Sequence, residues 1–599
     1  MQSDEHIIDA IFSKDMIRSL RLPLLLSILL FVGCGSDADS DAGSSDNAAN
    51  AAGDGRPVNG GLYRTNVLRG DPTGLDPVIV DSKHASDMVT QIYDKLVDLD
   101  DDTLRLVPAI AKSWEPSEDG RSYTFHLRTD VDFQDHEVFA EGKGRRMTAE
   151  DVRYSFTRIC DKRSQTKSFW AFEGKVVGAD AYYAASGTDS PLDEVSGFVV
   201  VNDSTFRIDL VEPFAPFIFR LVNSFCSIVP HEGVEAYGQE FRRNPVGTGP
   251  FRFVEWKEGQ EVLLVRNDNY WDIDEYGNRM PYLDSIIFSF IKDDNTQFNE
   301  FNAGNLDELF NLPTAQFEVV VDPETMELNE AYSQYQFETV PAMLTWYFAF
   351  NNLKPPFDDA NVRRAFNYAI DRASIVRFTL KNSPYAPANH GLSPPIFLDY
   401  PIEKIEGYSY DQEKARELLA AAGFPEGKGF PSVTLHIYDE PRLREVAEAV
   451  QAQLTQTLSI PVEVKQTTFP VLIETAESGG IEFWGTRWYG DYPDPETYLN
   501  LLNGLSVPDD PNEPSNPNSS RYNDPIYNNL LADAVGTLDH LARMGLYLKA
   551  EQHAIDDAPV MPLFYERHYR LMQPWVRGLT LDPMAQYRLK RVWFDGPAA

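Results

Sequence analysis

Apolar and polar positions change period several times along this chain, and each change predicts an element. Leu62 to Leu68 reads as a short strand, followed by the turn Thr73-Gly74-Leu75-Asp76-Pro77. After the turn Glu118-Asp119-Gly120, Tyr123, Phe125 and Leu127 alternate with polar neighbours, the two-residue period of a half-buried strand. The period then lengthens. Thr148-Ala149-Glu150-Asp151 has the spacing of a capping-box variant and opens a helix over Val152 to Ile159. Val362, Ala365, Phe366, Ala369 and Ile370 fall on one helical face, at i, i+3, i+4, i+7 and i+8. Asp411 is placed to cap a helix through Ala422, with Gly423 and Pro425 marking its end. Val433 to Tyr438, a helix near Leu443 to Leu458, and Val462 to Lys465 form a strand-helix-strand unit, which implies parallel sheet. Asp509 to Ser520 is a polar, proline-rich loop, and neither a short repeat nor a coiled-coil heptad is present. The class is α/β, and 599 residues exceed what a single core usually supports, so at least two lobes are expected.

Composition narrows the partners. A hydrophobic content of 43%, with 12% aromatic, is ample for large cores. The 92 acidic and 53 basic residues give a formal net charge of -39. That field repels nucleic acid and anionic lipid surfaces, so neither DNA nor RNA is expected as a partner, and it weakly favours cationic or zwitterionic ligands.

The N-terminus reads as a targeting segment. Lys14, Arg18 and Arg21 precede an apolar run from Leu22 to Gly33, with Cys34 next. At about 1.5 Å per residue this run covers roughly 18 Å, short of the roughly 30 Å of a bilayer core, as expected of a secretory segment. The first fifteen residues are acidic for a signal, which makes Met16 an alternative start. Phe31-Val32-Gly33-Cys34 resembles a bacterial lipobox, with Phe31 in place of the usual leucine. That resemblance implies removal of residues 1–33 and lipidation of Cys34. Ser, Asp, Ala, Asn and Gly dominate from Gly35 to Gly61, so 34–61 is expected to be a flexible tether holding a folded domain near a membrane. No later apolar run is long enough to span a bilayer. In an exported protein Cys160 and Cys226 can form a disulfide or remain two buried thiols.

Catalytic signatures are missing. His136-Glu137 is followed by Ala140, and His231-Glu232 by Glu235, where a zinc protease needs its second histidine. There is no Gly-x-Ser-x-Gly elbow. Gly247-Thr248-Gly249-Pro250 lacks the third glycine and the lysine of a phosphate loop, so positive φ in a tight turn is its expected use. Neither a metal site nor a cofactor is expected. The most informative stretch is Trp488-Tyr489-Gly490-Asp491-Tyr492-Pro493-Asp494-Pro495, a carboxylate among aromatics on a proline-stiffened segment. Read locally, it is either an acidic surface turn or a site for a ligand cation.

Several segments, in order, resemble family 5 of the extracellular solute-binding proteins of ABC importers, the oligopeptide, dipeptide and nickel-binding group. They are Val107-Pro108-Ala109-Ile110-Ala111-Lys112-Ser113-Trp114-Glu115, Tyr123 to Arg128, Thr148 to Val152, Asn244-Pro245-Val246-Gly247-Thr248-Gly249-Pro250-Phe251, Arg266 to Trp271, Pro356 to Asp359 leading into Val362 to Ala365, and Ala558-Pro559-Val560-Met561-Pro562-Leu563. The resemblance implies a two-lobed periplasmic-binding-protein clamp of class II, in the large form with an extra subdomain. Lobe one would take 62–330 plus 556–599, with the subdomain inserted at about 106–214, and lobe two 331–555. The hinge would lie near 330–340 and 555.

By the same resemblance, Asp491 is the position that pairs with a peptide α-ammonium, and Tyr489 and Trp488 flank the peptide backbone. Asp81, Ser82 and Lys83 would form the facing strip on lobe one. Tyr347 and Trp346 are candidates for the cleft wall, although core packing is the commoner use of aromatics there. No partner for a ligand carboxylate stands out, since Arg487 is nearest but wrongly spaced. The expected function is a monomeric, membrane-anchored receptor, not an enzyme, that passes peptides to an ABC permease on the periplasmic or cell-surface side. An oligosaccharide, opine or metal chelate in the same clamp is the alternative ligand. A secreted hydrolase is the alternative of another class.

Overall fold

The computed structural model describes residues 55–596, apart from 68, 69 and 313. The leader, Cys34 and most of the tether lie outside the described residues. Gly60 and Gly61, at the end of the expected tether, are already docked, since the Gly60 N–H donates to Tyr282 O and Gly61 O accepts from Asp284. Among the described residues no helix is long and apolar enough to cross a membrane.

Three principal sheets organise the chain. In the first, Leu62–Asn66 runs parallel to Ser285–Ser289, which continues antiparallel through Glu261–Arg266 to Phe251–Lys257. A second, antiparallel sheet joins Ala111–Pro116, Ser122–Leu127, Thr205–Asp209 and Phe198–Asn202. Tyr123, Phe125 and Leu127 are buried in strict alternation, as the pattern predicts. The adjoining helix Ala149–Ile159 begins at Thr148, whose N–H donates to the Asp151 carboxylate at 2.8 Å, the predicted capping pair.

The third sheet has seven strands and holds the predicted parallel unit. Val433–Tyr438 pairs in parallel with Val462–Thr467 across the helix Pro441–Leu458, and also with Phe483–Tyr489. Its centre is the antiparallel pair Gln336–Phe350 and Val560–Met572. From Ala342 to Phe350 every residue of the first strand is buried, as expected where layers cover both faces of a sheet. The predicted helix face at Val362, Ala365 and Phe366 packs into this core on the helix Ala360–Tyr368. The helix Gln412–Ala421 is capped by Asp411 and stopped at Gly423, whose φ is +96°.

One open alternative is decided and one expectation changes. Cys160 and Cys226 are separate buried thiols, and burial raises both pKa values. Gly247 and Gly249 do not adopt positive φ. They are needed because a Cβ at Gly247 would sit 2.2 Å from Ile92 O, and one at Gly249 would sit 2.5 Å from Ile92 C. Their role is close backbone approach. The turn grips the C-terminal end of the helix Lys83–Ile92, and the Gly249 N–H donates to Ile92 O at 2.9 Å. Gly249→Ala should therefore cost about 2–3 kcal/mol, seen as a lower urea midpoint. The control Gly536→Ala, where a Cβ meets nothing within 4 Å, should change the midpoint little. Equal effects would refute the close-approach account.

Candidate functional site

A cavity of about 900 Å³ lies against one face of the helix Lys83–Ile92, whose Lys83, Ser86, Asp87, Thr90 and Gln91 line it. Those positions follow a helical stripe, and the ten-residue helix carries the cavity along roughly 15 Å. The opposite wall comes from Tyr489, Gly490 and Asp491, more than 390 residues later in the sequence.

The structure thus brings together six positions: Asp81, Ser82 and Lys83 on one side, and Tyr489, Gly490 and Asp491 on the other. The side chains of the first three are engaged locally. Asp81 accepts from Thr73 Oγ1 at 2.9 Å, Ser82 caps the helix by accepting from Ala85 N–H, and Lys83 pairs with Asp87. Tyr489 is the last residue of its strand and lies opposite Leu344, and its hydroxyl is 3.1 Å from His568 Nε2. The Gly490 N–H donates to Met343 O at 3.0 Å, extending the ladder by one step. A Cβ at Gly490 would lie 2.9 Å from Met343 Cε and 3.0 Å from Thr497 Cγ2, so any side chain there would require its neighbours to shift. Asp491 follows, and its N–H is held by Thr497 Oγ1 at 3.1 Å. Its carboxylate faces the cavity with no hydrogen bond or ion pair among the described residues.

Three of the sequence candidates lie elsewhere. Trp488 points to the other face of its strand from Tyr489, and its Nε1 is 3.4 Å from Thr497 Oγ1. Trp346 is 3% exposed, stacks on Phe564 and donates from Nε1 to Glu566 at 3.0 Å. Tyr347 is buried beside it. Both sit mid-strand in the central pair, and neither lines the cavity. Arg487 is also engaged away from the cavity, with its guanidinium 4.9 Å from the Trp346 ring centre.

Two wall segments escaped sequence reasoning. Met584 to Arg591 returns from the C-terminus and is shaped by Asp582, whose carboxylate accepts from Met584 N–H at 2.7 Å and Arg588 Nη1 at 3.0 Å. Gln91 Nε2 donates to Tyr587 O at 2.9 Å, fastening this segment to the helix. The other wall is Tyr270 and Trp271, which donate to buried Asp94 at 2.9 and 3.0 Å. The Arg128 guanidinium lies 4.3 Å over Trp271. The motif containing Trp271 was legible as a family signature, but nothing in the sequence aims it at a cavity.

Asp491 and His568 carry opposite pH signatures. Burial lifts the Asp491 carboxyl to about 7, against the pull of Arg220 and with a push from Glu496. In an unfolded chain the same group titrates near 4. Between those values the folded protein holds a proton that the unfolded chain has lost, so stability falls as pH rises from about 4 to about 7. His568 is depressed to about 3 by burial, with Lys83 and Arg570 adding to the effect, so its contribution is lost as pH falls from about 6.5 towards 3. Asp491→Asn removes the first penalty. By calorimetry at pH 8, the ligand-free variant should melt about 2 °C above the parent, and the gap should close near pH 4.5. A variant that melts lower at pH 8 would contradict this.

Residues 105–507, more than half of the chain, match "Bacterial extracellular solute-binding proteins, family 5 Middle". Heme-binding protein A of Haemophilus influenzae is 30% identical over 539 residues, 88% of this chain and 91% of that protein. The periplasmic oligopeptide-binding protein OppA of Salmonella typhimurium is 27% identical over 529 residues, 87% and 90% of the two chains. Among solved structures, the periplasmic binding protein DppA of Helicobacter pylori in complex with a peptide superposes with a TM-score of 0.71 at 25% identity, covering 90% of this chain and 99% of that one. A cleft walled by segments far apart in sequence, on the two-lobed α/β clamp that these proteins share, agrees with the family match: the chain belongs to family 5 of the bacterial extracellular solute-binding proteins.

Proposed function

We propose that this protein is an extracytoplasmic receptor that encloses peptides in the cleft and delivers them to an ABC import permease. The observation that carries this reading is the half-buried Asp491 carboxylate, which faces the cavity and has no hydrogen-bond or ion-pair partner among the described residues. Leaving a charged acceptor without one is costly, and a peptide α-ammonium supplies the missing donor through a charge-assisted bond of about 1.5–3 kcal/mol. Tyr489 and Gly490 on one side and Asp81 to Lys83 on the other offer mainly backbone to an extended ligand, which suits a receptor that accepts many side chains. The cavity, about 900 Å³, lies within the range of ligand-enclosing sites.

Residues 62–330 and 556–599 form lobe one in this reading, and 331–555 form lobe two. Their crossings adjoin the paired strands Gln336–Phe350 and Val560–Met572, so closure would bend a two-stranded ribbon. Register irregularities between Pro341 and Thr345, and between Trp346 and Tyr347, offer places for that bend. Cys34 would carry the lipid, holding a monomeric receptor at the membrane by that anchor and its tether alone.

Calorimetry with a tri- to pentapeptide library and its N-acetylated twin tests the amine anchor. The free-amine library should bind at least tenfold more tightly, and Asp491→Asn should remove the difference. Equal binding of both libraries by the parent protein would sink the anchor. Heme is a second ligand class, raised by the 30% identity to heme-binding protein A, and a hemin titration in the same cell would expose it.

A further inference from the structure

Arg220 ends the short helix Phe217–Arg220 and is 6% exposed. Its Nη1 donates to the carbonyls of Trp170 and Ala171, both at 3.1 Å, and its guanidinium lies 4.8 Å from the Phe214 ring centre and 5.5 Å from that of Trp170. These partners belong to the first 220 residues, so the cation is fixed by the lobe that carries the helix Lys83–Ile92. Its remaining surroundings come from the other lobe. The guanidinium sits 5.9 Å from the ring centre of Tyr492, the residue after Asp491. Tyr492 is 2% exposed, and its hydroxyl is hydrogen-bonded to Glu496.

A buried guanidinium normally meets a carboxylate, because an uncompensated charge costs too much outside water. Here Nε is buried with no hydrogen-bond partner, and no ion pair joins Arg220 to Asp491 or Glu496 within 4 Å among the described residues. The cation nevertheless packs 5.9 Å from Tyr492, on the loop that carries both acids, and inside a protein such charges act beyond contact distance. Asp494, the third acid of the loop, is matched separately by Arg543 at 3.5 Å. Asp491 therefore has two charged neighbours of opposite effect, Arg220 and Glu496, and Glu496 in turn feels Arg220, Asp494 and Lys175.

We propose that Arg220 is a positioning residue for ligand capture, a fixed cation from one lobe that keeps the amine anchor of the other lobe ionised as closure strips water from it. In an open clamp, water would keep Asp491 charged. Closure removes that water and brings Arg220 up in the same movement, so more of the anchor meets a ligand ammonium as a carboxylate than burial alone would allow. Because the guanidinium is not in contact with Asp491, the anchor's own hydrogen-bonding positions stay free for the ligand. The inference rests on the amine-anchor reading.

The test compares the free-amine and N-acetylated libraries on the full-length protein from pH 5.5 to 8.5, in the parent, Arg220→Gln, Arg220→Lys and Glu496→Gln. The readout is the pH midpoint of the affinity advantage that the free amine confers. Arg220→Gln should move that midpoint up by about one pH unit, and Arg220→Lys should leave it close to the parent. Glu496→Gln should move it down, which keeps the proposal testable if Arg220→Gln does not fold. The acetylated library should show none of these shifts. A folded Arg220→Gln with the parental midpoint would overturn the proposal, as would an equal loss of affinity for both libraries, which marks a packing role alone. If the parent fails to distinguish the libraries, the amine anchor itself fails, and the inference fails with it.

Discussion

The antiparallel pairing of Gln336–Phe350 with Val560–Met572 is the constraint on which the rest of the structure depends. It joins segments more than 200 residues apart and is buried along most of its length. On one side it takes up Phe483–Tyr489, whose end delivers Asp491 to the cavity. On the other it takes up Glu308–Phe310, where Arg570 and Glu308 form an ion pair of essentially no exposure, at 3.0 Å. The Arg570 guanidinium also lies 5.3 Å from the ring centre of Tyr587 on the cavity wall. Breaking such a buried pair by removing one partner costs about 3–5 kcal/mol, which ties these two strands firmly together beside the C-terminal wall.

Around that frame, charge is handled differently in scaffold and site. Scaffold carboxylates are saturated. Asp76 takes two bonds from Arg158, Asp582 takes backbone and Arg588 donors, and Glu551 takes the Leu392 and Ser393 N–H groups and the Ser393 and Tyr400 hydroxyls. Asp491 alone among these acids is desolvated without being satisfied. On a cavity wall such a carboxylate is a natural place for a ligand donor.

The strongly negative chain conflicts with a site for zwitterions only if charge is averaged over the molecule. At the cavity wall acidic and basic side chains stand in near-equal number, so the net charge acts on solubility and approach while local pairs decide recognition. Lys83, Lys590 and Arg588 each already hold an aspartate, while Lys167 and Arg591 line the cavity without an ion pair among the described residues.

Local elements were legible in the sequence wherever one physical rule dominated. The capped helices at Thr148 and Asp411, the alternating strand Tyr123 to Leu127 and the parallel unit around Val433 follow from period and capping alone, since their signals lie within a few residues. Asp491 was legible as a carboxylate displayed among aromatics, and Asp81 to Lys83 as its counterpart through family resemblance. Local sequence could not say which face of a strand meets the cavity. Tyr489 and Trp488 are adjacent and equally aromatic, yet pleating sends one to the wall and the other to Thr497, while two-sided pairing buries Trp346 and Tyr347. The glycines of Gly247-Thr248-Gly249 were visible, but their purpose depends on the backbone of Ile92, about 155 residues earlier. Met584 to Arg591, Asp94 with Trp271, and Arg220 reach the site only because the tertiary structure brings distant segments to one helix and one loop. Sequence determines what each residue can do with its near neighbours, and only the fold decides which distant charge, ring or carbonyl it meets.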